Sequence, residues 1–300
     1  MKSTRPSPDT DLLQPGREVE LLCLKGYDAL RARIPPHGER VVVRTGISKV
    51  RPVPGELFTL EVERTWVFGH TRYAKGLVTA ARLDVPSLGL EPLGLTDYGL
   101  RDPEEESWLF EEGGHSVYEE MRAAGPRRCC EMEQVVPEDA VKLEWEEDPI
   151  LEAVELVAAG ATLAAEELLG DLLTADLRCL DAHAHLAYVQ LRSGWHDALE
   201  RATRHYRVGL AIGELTLGPA FPDLLPWGLI DNRPYLRCLD GHAVCLWRSG
   251  DLGAAADIFR RLLWRNPHDN TGARFNLAAI EAGRSWEEAT GESQRASRRQ

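Results

Sequence analysis

Three hundred residues, 43% hydrophobic and 28% charged with a net charge of −13, describe a globular chain better divided into two domains than folded around one core. No apolar run approaches the roughly 18–20 residues of a membrane-spanning helix, and the opening MKSTRPSPDTD lacks a signal-peptide apolar core, so the expectation is a cytoplasmic protein with no membrane partner. Six cysteines without a CxxC pair exclude a disulfide framework and read as reduced, structural thiols.

Residues 1–16 are rich in Pro, Ser and Asp without periodicity and read as a disordered lead. From 17 to 84 the pattern is that of short strands: Val19–Leu24, Ala29–Ile34, Val41–Arg44, and the alternating Phe58-Thr59-Leu60-Glu61-Val62-Glu63. Trp66-Val67-Phe68 and Tyr73–Val78 flank Gly69-His70-Thr71-Arg72 as a hairpin, and Pro/Gly clusters punctuate the rest, which predicts a small β-barrel of SH3-like or OB-like size. Residues 17–83 carry 12 basic against 7 acidic side chains, or +5, whereas residues 84–148 carry 5 against 19, or −14. The sign change places a boundary near 85 and marks 85–148 as an acidic connector with one helix near Ser116–Ala124. Trp108, Phe110 and Trp145 give that connector a means of folding back on the basic barrel.

From 149 to 290 the periodicity is helical. Helices are expected at Leu151–Ala158, Leu163–Leu173, Cys179–Leu191, about 195–213, Pro234–Arg248, Leu252–Trp264 and Thr271–Ala282, with a short one at Trp286 and a frayed tail over 291–300. Gly213 and the Leu217-Gly218-Pro219-Ala220-Phe221-Pro222 stretch are read as breaking the continuation of the fourth of these. Gly160 and Gly194, 34 residues apart, each end one apolar helix and open another, and Gly250 does the same. A 34-residue period of paired helices is the signature of tetratricopeptide repeats. Ala255, Phe259, Leu262 and Pro267 fit that consensus in its second helix and terminal proline. Gly194 to Gly250 spans 56 residues, so 22 are inserted, carrying Leu225–Tyr235. The fold class expected is therefore α+β, an N-terminal small β-barrel followed by an α-helical repeat solenoid.

Candidate chemistry is sparse. Cys238, His242 and Cys245 share a helical face, as do Cys179 and His183, and thiolate with imidazole suits zinc. The same positions face a helical stack, where cysteine packs as a small hydrophobe, and no metal is assigned. His183 and His185 lie about 200° apart on a helix and do not readily share one ion. GxSxG, HExxH, GxxxxGK[ST] and GxGxxG are all absent, so the reading is no enzyme, no catalytic residue and no cofactor, with a metal-dependent enzyme the last alternative.

Two binding surfaces remain. Asp181, His185, Trp227, Asn232, Arg233 and Arg237 are the candidate partner contacts, because paired arginines beside a tryptophan suit a peptide carboxylate. Asp231 and Asn232 also precede Pro234 as helix caps. On the barrel, Arg64, Trp66, Arg72, Tyr73 and Lys75 interleave basic and aromatic side chains as single-strand binders do, although alternate strand positions produce the same pattern by placing arginines on a solvated face.

Asp176–Leu186, His205–Leu215, Leu225–Leu239, Leu263–Asn270, Pro54-Gly55-Glu56, the Trp66–Gly76 hairpin and Glu131–Gln134 together resemble a group of uncharacterised bacterial tetratricopeptide-repeat proteins with an N-terminal small β domain. The resemblance covers most of residues 17–287. It implies the two-part architecture and a bacterial cytosolic setting, and it carries no activity. The expected function is a non-catalytic scaffold that binds a protein or peptide segment through its helices. A nucleic-acid-associated protein acting through the barrel is the alternative, and the oligomeric state is left open.

Overall fold

Alternation of apolar and polar residues builds five strands: β1 (Glu18–Lys25), β2 (Leu30–Arg33), β3 (Arg40–Thr45), β4 (Leu57–Phe68) and β5 (Thr71–Arg82). They close into a barrel in the order β1-β2-β3-β5-β4, all neighbours antiparallel except the parallel β3–β5 pair. The inward positions, among them Leu21, Cys23, Val41, Val43, Phe58, Leu60, Val62 and Ala74, form one buried core. This computed structural model describes residues 12–26, 29–46, 50–103, 116–137, 148–218 and 220–291. Trp108, Phe110 and Trp145, with most of the expected lead and tail, lie outside the described residues.

The strand expected at Phe58 and the one expected at Trp66 are a single β4. Its register passes from Val62↔Gly76 to Arg64↔Lys75, so Glu63 is an extra, bulged residue. Gly76 makes room for it: a Cβ there would lie 2.1 Å from the Glu61 carbonyl oxygen. The hairpin loop is only Gly69-His70, with Gly69 at φ 61° supplying the left-handed conformation that an L side chain resists.

By internal contacts the chain divides into two units, Met1–Glu91 with Val136–Ala182, and Pro92–Val135 with His183–Gln300. Each draws on two separated stretches. In the first unit, α2 (Pro149–Ala158) and α3 (Thr162–Ala175) accompany the barrel. Lys25 at the end of β1 is buried and its Nζ meets Glu167 at 2.6 Å and Asp171 at 2.7 Å on α3. Gly170 lets the lysine stem lie across that helix, since a Cβ there would be 3.1 Å from it.

The second unit opens with β6 (Leu95–Arg101), α1 (Ser116–Ala124) and β7 (Arg127–Met132). The stretch read as a connector thus contains an antiparallel β6–β7 pair as well as the expected helix. Then follow α4 (Leu180–Arg192, which begins before the division), α5 (Ala198–Leu217), α6 (Arg233–Arg248), α7 (Leu252–Arg265), α8 (Ala273–Glu281) and α9 (Trp286–Thr290). α5 runs on through Gly213, which is buried inside it. The described residues therefore form a mixed α+β chain, a closed barrel with nine helices. No helix among them is long and apolar enough to cross a membrane.

One device recurs through the helices. Gly160, Gly194, Gly250 and Gly283 follow α2, α4, α6 and α8, each with positive φ (80°, 73°, 88° and 72°). At three of them the closing bonds are the same: the glycine N–H donates to Val157, Trp247 or Ile280, and the next N–H to Leu156, Leu246 or Ala279. That paired 5→2 and 6→1 bonding is the Schellman cap, and it satisfies carbonyls left over at the helix end. Asp251 and Ser285 then accept amide hydrogens of the following helices, so one helix is stopped and the next started within a few residues.

Candidate functional site

The barrel presents the most fully assembled candidate surface. Because Arg64 pairs with Lys75 and Trp66 with Tyr73, these four side chains share the outer face, together with Phe68, while Ala74 and Gly76 point inward. Trp66 and Tyr73 are stacked, ring centroids 5.3 Å apart and planes 7° from parallel. The Arg64 guanidinium carbon lies 4.8 Å from the Trp66 centroid. Arg44, brought alongside by the parallel register Arg44↔Lys75, lies 5.9 Å from Trp66 and 5.7 Å from Tyr73. Two cations thus rest on two aromatic rings, each a favourable ring-quadrupole contact. Phe68, 76% exposed, extends the apolar surface toward the hairpin tip.

Arg72 does not join this group. Its strand parity puts it on the other side, where its side chain is largely buried and its Nη1 meets Glu39 at 3.2 Å. Lys75 is on the face and pairs with Glu63 at 2.6 Å. Arg44 is one of the barrel's many basic residues in the sequence, far from Trp66 and Tyr73 along the chain. Only the order of strands, which sets β3 beside β5, brings it to the rings.

The second unit assembles a different cluster from the 22-residue insert. Leu224 pairs with β7 like a short parallel strand: its N–H donates to the Arg128 carbonyl and its carbonyl accepts from Cys130, both at 2.9 Å. Farther on, the Trp227 ring carries Arg233 at 5.3 Å and Arg237 at 5.7 Å from its centroid. Arg233 Nε donates to the Trp227 carbonyl at 3.1 Å, and the Trp227 N–H donates to Asn266 Oδ1 at 3.0 Å. Trp227, Arg233 and Arg237 are therefore one preformed corner.

Asn232 is not part of its surface. It is fully buried, with Oδ1 accepting from Met132 and Nδ2 donating to the carbonyls of Cys130 and Pro226. Every hydrogen-bonding arm of that amide is turned inward, which removes it from the contact set. It stands at the start of α6 but its side chain caps nothing there. Asp181 belongs to the first unit and is 4% exposed, so it too presents little surface. His185, in the second unit, is half-buried on α4.

The cysteine–histidine positions pack. Cys238 and Cys245 are buried on α6, with Cys238 Sγ lying where a Cβ on Gly209 would come within 2.6 Å. Burial pushes the Cys245 thiol up to about 11 and the Cys179 thiol up to about 12, far from the thiolate range. His205 is sealed inside α5, both ring nitrogens without a partner, 6.3 Å from the ring of His183. Burial, with His183 and Arg201 nearby, holds its pKa well below the usual histidine value. Among the described residues no group of three or more His, Cys, Asp or Glu side chains is placed to hold a metal ion.

No family model, curated protein or solved structure matches the chain.

Proposed function

We propose that the protein is a non-catalytic interaction module of the tetratricopeptide-repeat kind, binding a protein or peptide segment through its helical half. The observation that carries this reading is the fourfold recurrence of helix, left-handed glycine and helix at Gly160, Gly194, Gly250 and Gly283. Repeats built this way offer extended surfaces for partners rather than a pocket for chemistry. The contact set reduces to His185, Trp227, Arg233 and Arg237. Two guanidiniums held on one indole suit the carboxylate of a peptide terminus or acidic side chain, because arginine's fork matches it bidentately. The test is capture of partners from a nuclease-treated bacterial lysate by the full chain and by the variant R233A/R237A. Protein held by the wild type and released by the variant supports the reading, and equal capture by both removes the corner from it.

A second reading has its own observation. The barrel order β1-β2-β3-β5-β4 with parallel β3 and β5 is that of an OB-type barrel, and the β4–β5 hairpin is one of the places where such barrels engage single strands. The stacked Trp66 and Tyr73 with Arg44 and Arg64 lie on that hairpin and the adjoining strand. In this reading the barrel holds unpaired nucleic acid by stacking and phosphate contact while the helices recruit a partner. Salt separates the two, since phosphate contacts weaken steeply as ionic strength rises.

A further inference from the structure

The first unit contains an open cavity of about 320 Å³, at the lower end of the sizes that hold small ligands. Its walls include Arg33, His37 and Arg40 from the barrel, Glu91, and Asp176 and Arg178 just beyond α3. Arg33 and Arg40 are direct cross-strand partners on β2 and β3. Like charges placed opposite one another destabilise a sheet unless something negative lies between them.

Among the described residues, neither arginine has a carboxylate within ion-pair distance. Arg33 Nη2 donates to the Leu88 carbonyl at 2.6 Å, and Arg40 Nη2 donates weakly to the Thr174 carbonyl at 3.4 Å. A guanidinium has five donors, so most of this capacity is unspent, and Arg33 Nε is buried without a partner. Two carboxylates also line the cavity: Glu91 is exposed, and Asp176 is engaged by Arg178, with contacts of 2.7 and 3.2 Å and the Arg178 N–H accepted at 2.9 Å. Burial first, and then the charge of Arg40, lower the Arg33 pKa, with Asp176 opposing only in part. The cavity wall is also fixed in shape, because a Cβ on Gly89 would come within 2.7 Å of Pro36 and 2.8 Å of His37.

We propose that this cavity binds a small oxyanion, a phosphate monoester or a carboxylate, seated between the guanidiniums of Arg33 and Arg40 with His37 beside it. The anion supplies the charge that the pair lacks and occupies donors that backbone carbonyls leave idle. Two planar forks lining one cavity favour a ligand with several coplanar or tetrahedral oxygens over chloride.

The experiment is calorimetric titration of the full-length protein with inorganic phosphate, glycerol phosphate and succinate, at ionic strength held constant with sodium chloride, alongside thermal melts. Arg40 is exposed, so Arg40→Gln tests the site without threatening the barrel. Arg33→Lys keeps the charge and loses the fork. Saturable binding and a raised Tm in the wild type, with affinity about tenfold weaker in Arg40→Gln and weakened in Arg33→Lys, is the expected result. Tighter glycerol phosphate names a phosphate monoester as the ligand class, and tighter succinate names a carboxylate. No binding of any of the three by about 10 mM, a Tm rise reproduced by sodium chloride, or unchanged affinity in Arg40→Gln overturns the proposal.

Discussion

Asn232 Oδ1 accepts the backbone N–H of Met132 at 2.8 Å, tying the 22-residue insert to the strand β7 from the opposite end of the sequence interval. The same amide reaches Cys130 and Pro226, so one side chain closes two buried backbone groups and a part-buried third. Replacing it with Ala leaves those groups unpaired, two of them desolvated polar atoms. Asn232→Ala is expected to cost about 2–3 kcal/mol in chemical denaturation, with Asn232→Asp also destabilising because it removes the two donated bonds. A loss below about 0.5 kcal/mol would contradict this role.

Helices α5 and α6 meet through glycines. A Cβ on Gly241 would come within 2.1 Å of the Tyr206 ring, and one on Gly209 within 2.6 Å of Cys238 Sγ. Gly241→Ala and Gly209→Ala are each expected to cost about 2–3 kcal/mol by overpacking. Gly253→Ala, where the nearest atom is 4.0 Å away, should instead stabilise by about 0.5–1 kcal/mol through helix propensity. Opposite signs in thermal melts distinguish packing from backbone entropy.

Acid stability divides between two kinds of group. Asp240 has a sealed Oδ1, and burial, reinforced by Asp269, pushes its carboxyl up to about 7 from 3.8. The folded state thus holds that proton more tightly, so this group's contribution is lost as pH rises from 3.8 through about 7. Asp240→Asn should raise stability at pH 8 by up to about 4 kcal/mol, the full linkage of that shift, and change little at pH 4. Burial works the other way on His205 and His242, the latter brought down to about 4. Their contribution is present above 6.5 and lost as pH falls toward the folded value, so His242→Gln should flatten the decline between pH 6.5 and 4.

Lys25 joins β1 to Glu167 and Asp171 of α3, itself only 5% exposed while its partners are 62% and 31% exposed. Solvent screening of the carboxylates limits the pair's worth, but removing the lysine also empties its packed stem. Lys25→Ala is expected to cost about 1–2 kcal/mol, and Lys25→Met, which keeps the stem, less than half as much.

For the barrel face, Trp66→Ala and Tyr73→Ala should each lower affinity for an oligonucleotide of roughly 15 nucleotides by about tenfold if bases stack there. Arg72→Ala, on the other side, should leave that affinity unchanged. Equal effects from all three would remove the face as the binding surface.

Much of the architecture is legible in the residues. Gly160, Gly194 and Gly250 mark helix ends because a left-handed cap selects glycine, and all three have positive φ. Gly213 misled because glycine inside a packed helix serves close contact and looks the same in sequence. The β6–β7 pair was hidden by composition: every residue of β6 is exposed, so the strand has no buried alternation to read. Asn232 sits where a cap belongs, yet its amide is consumed by β7, a partner 100 residues away in the chain. Continued alternation through Val62 would also have turned Trp66 inward, and the bulge is what brings it out beside Tyr73.

That bulge makes chain length at one point negotiable. Deleting Glu63 would let Arg64 follow Val62 directly in a regular ladder, still opposite Lys75, with Trp66 still opposite Tyr73. Two homologous genes that differ by that single codon would encode the same ribbon with the same outward face. In an alignment the correct placement is a one-residue gap at position 63, and shifting the whole hairpin to close it would pair the wrong aromatic residues.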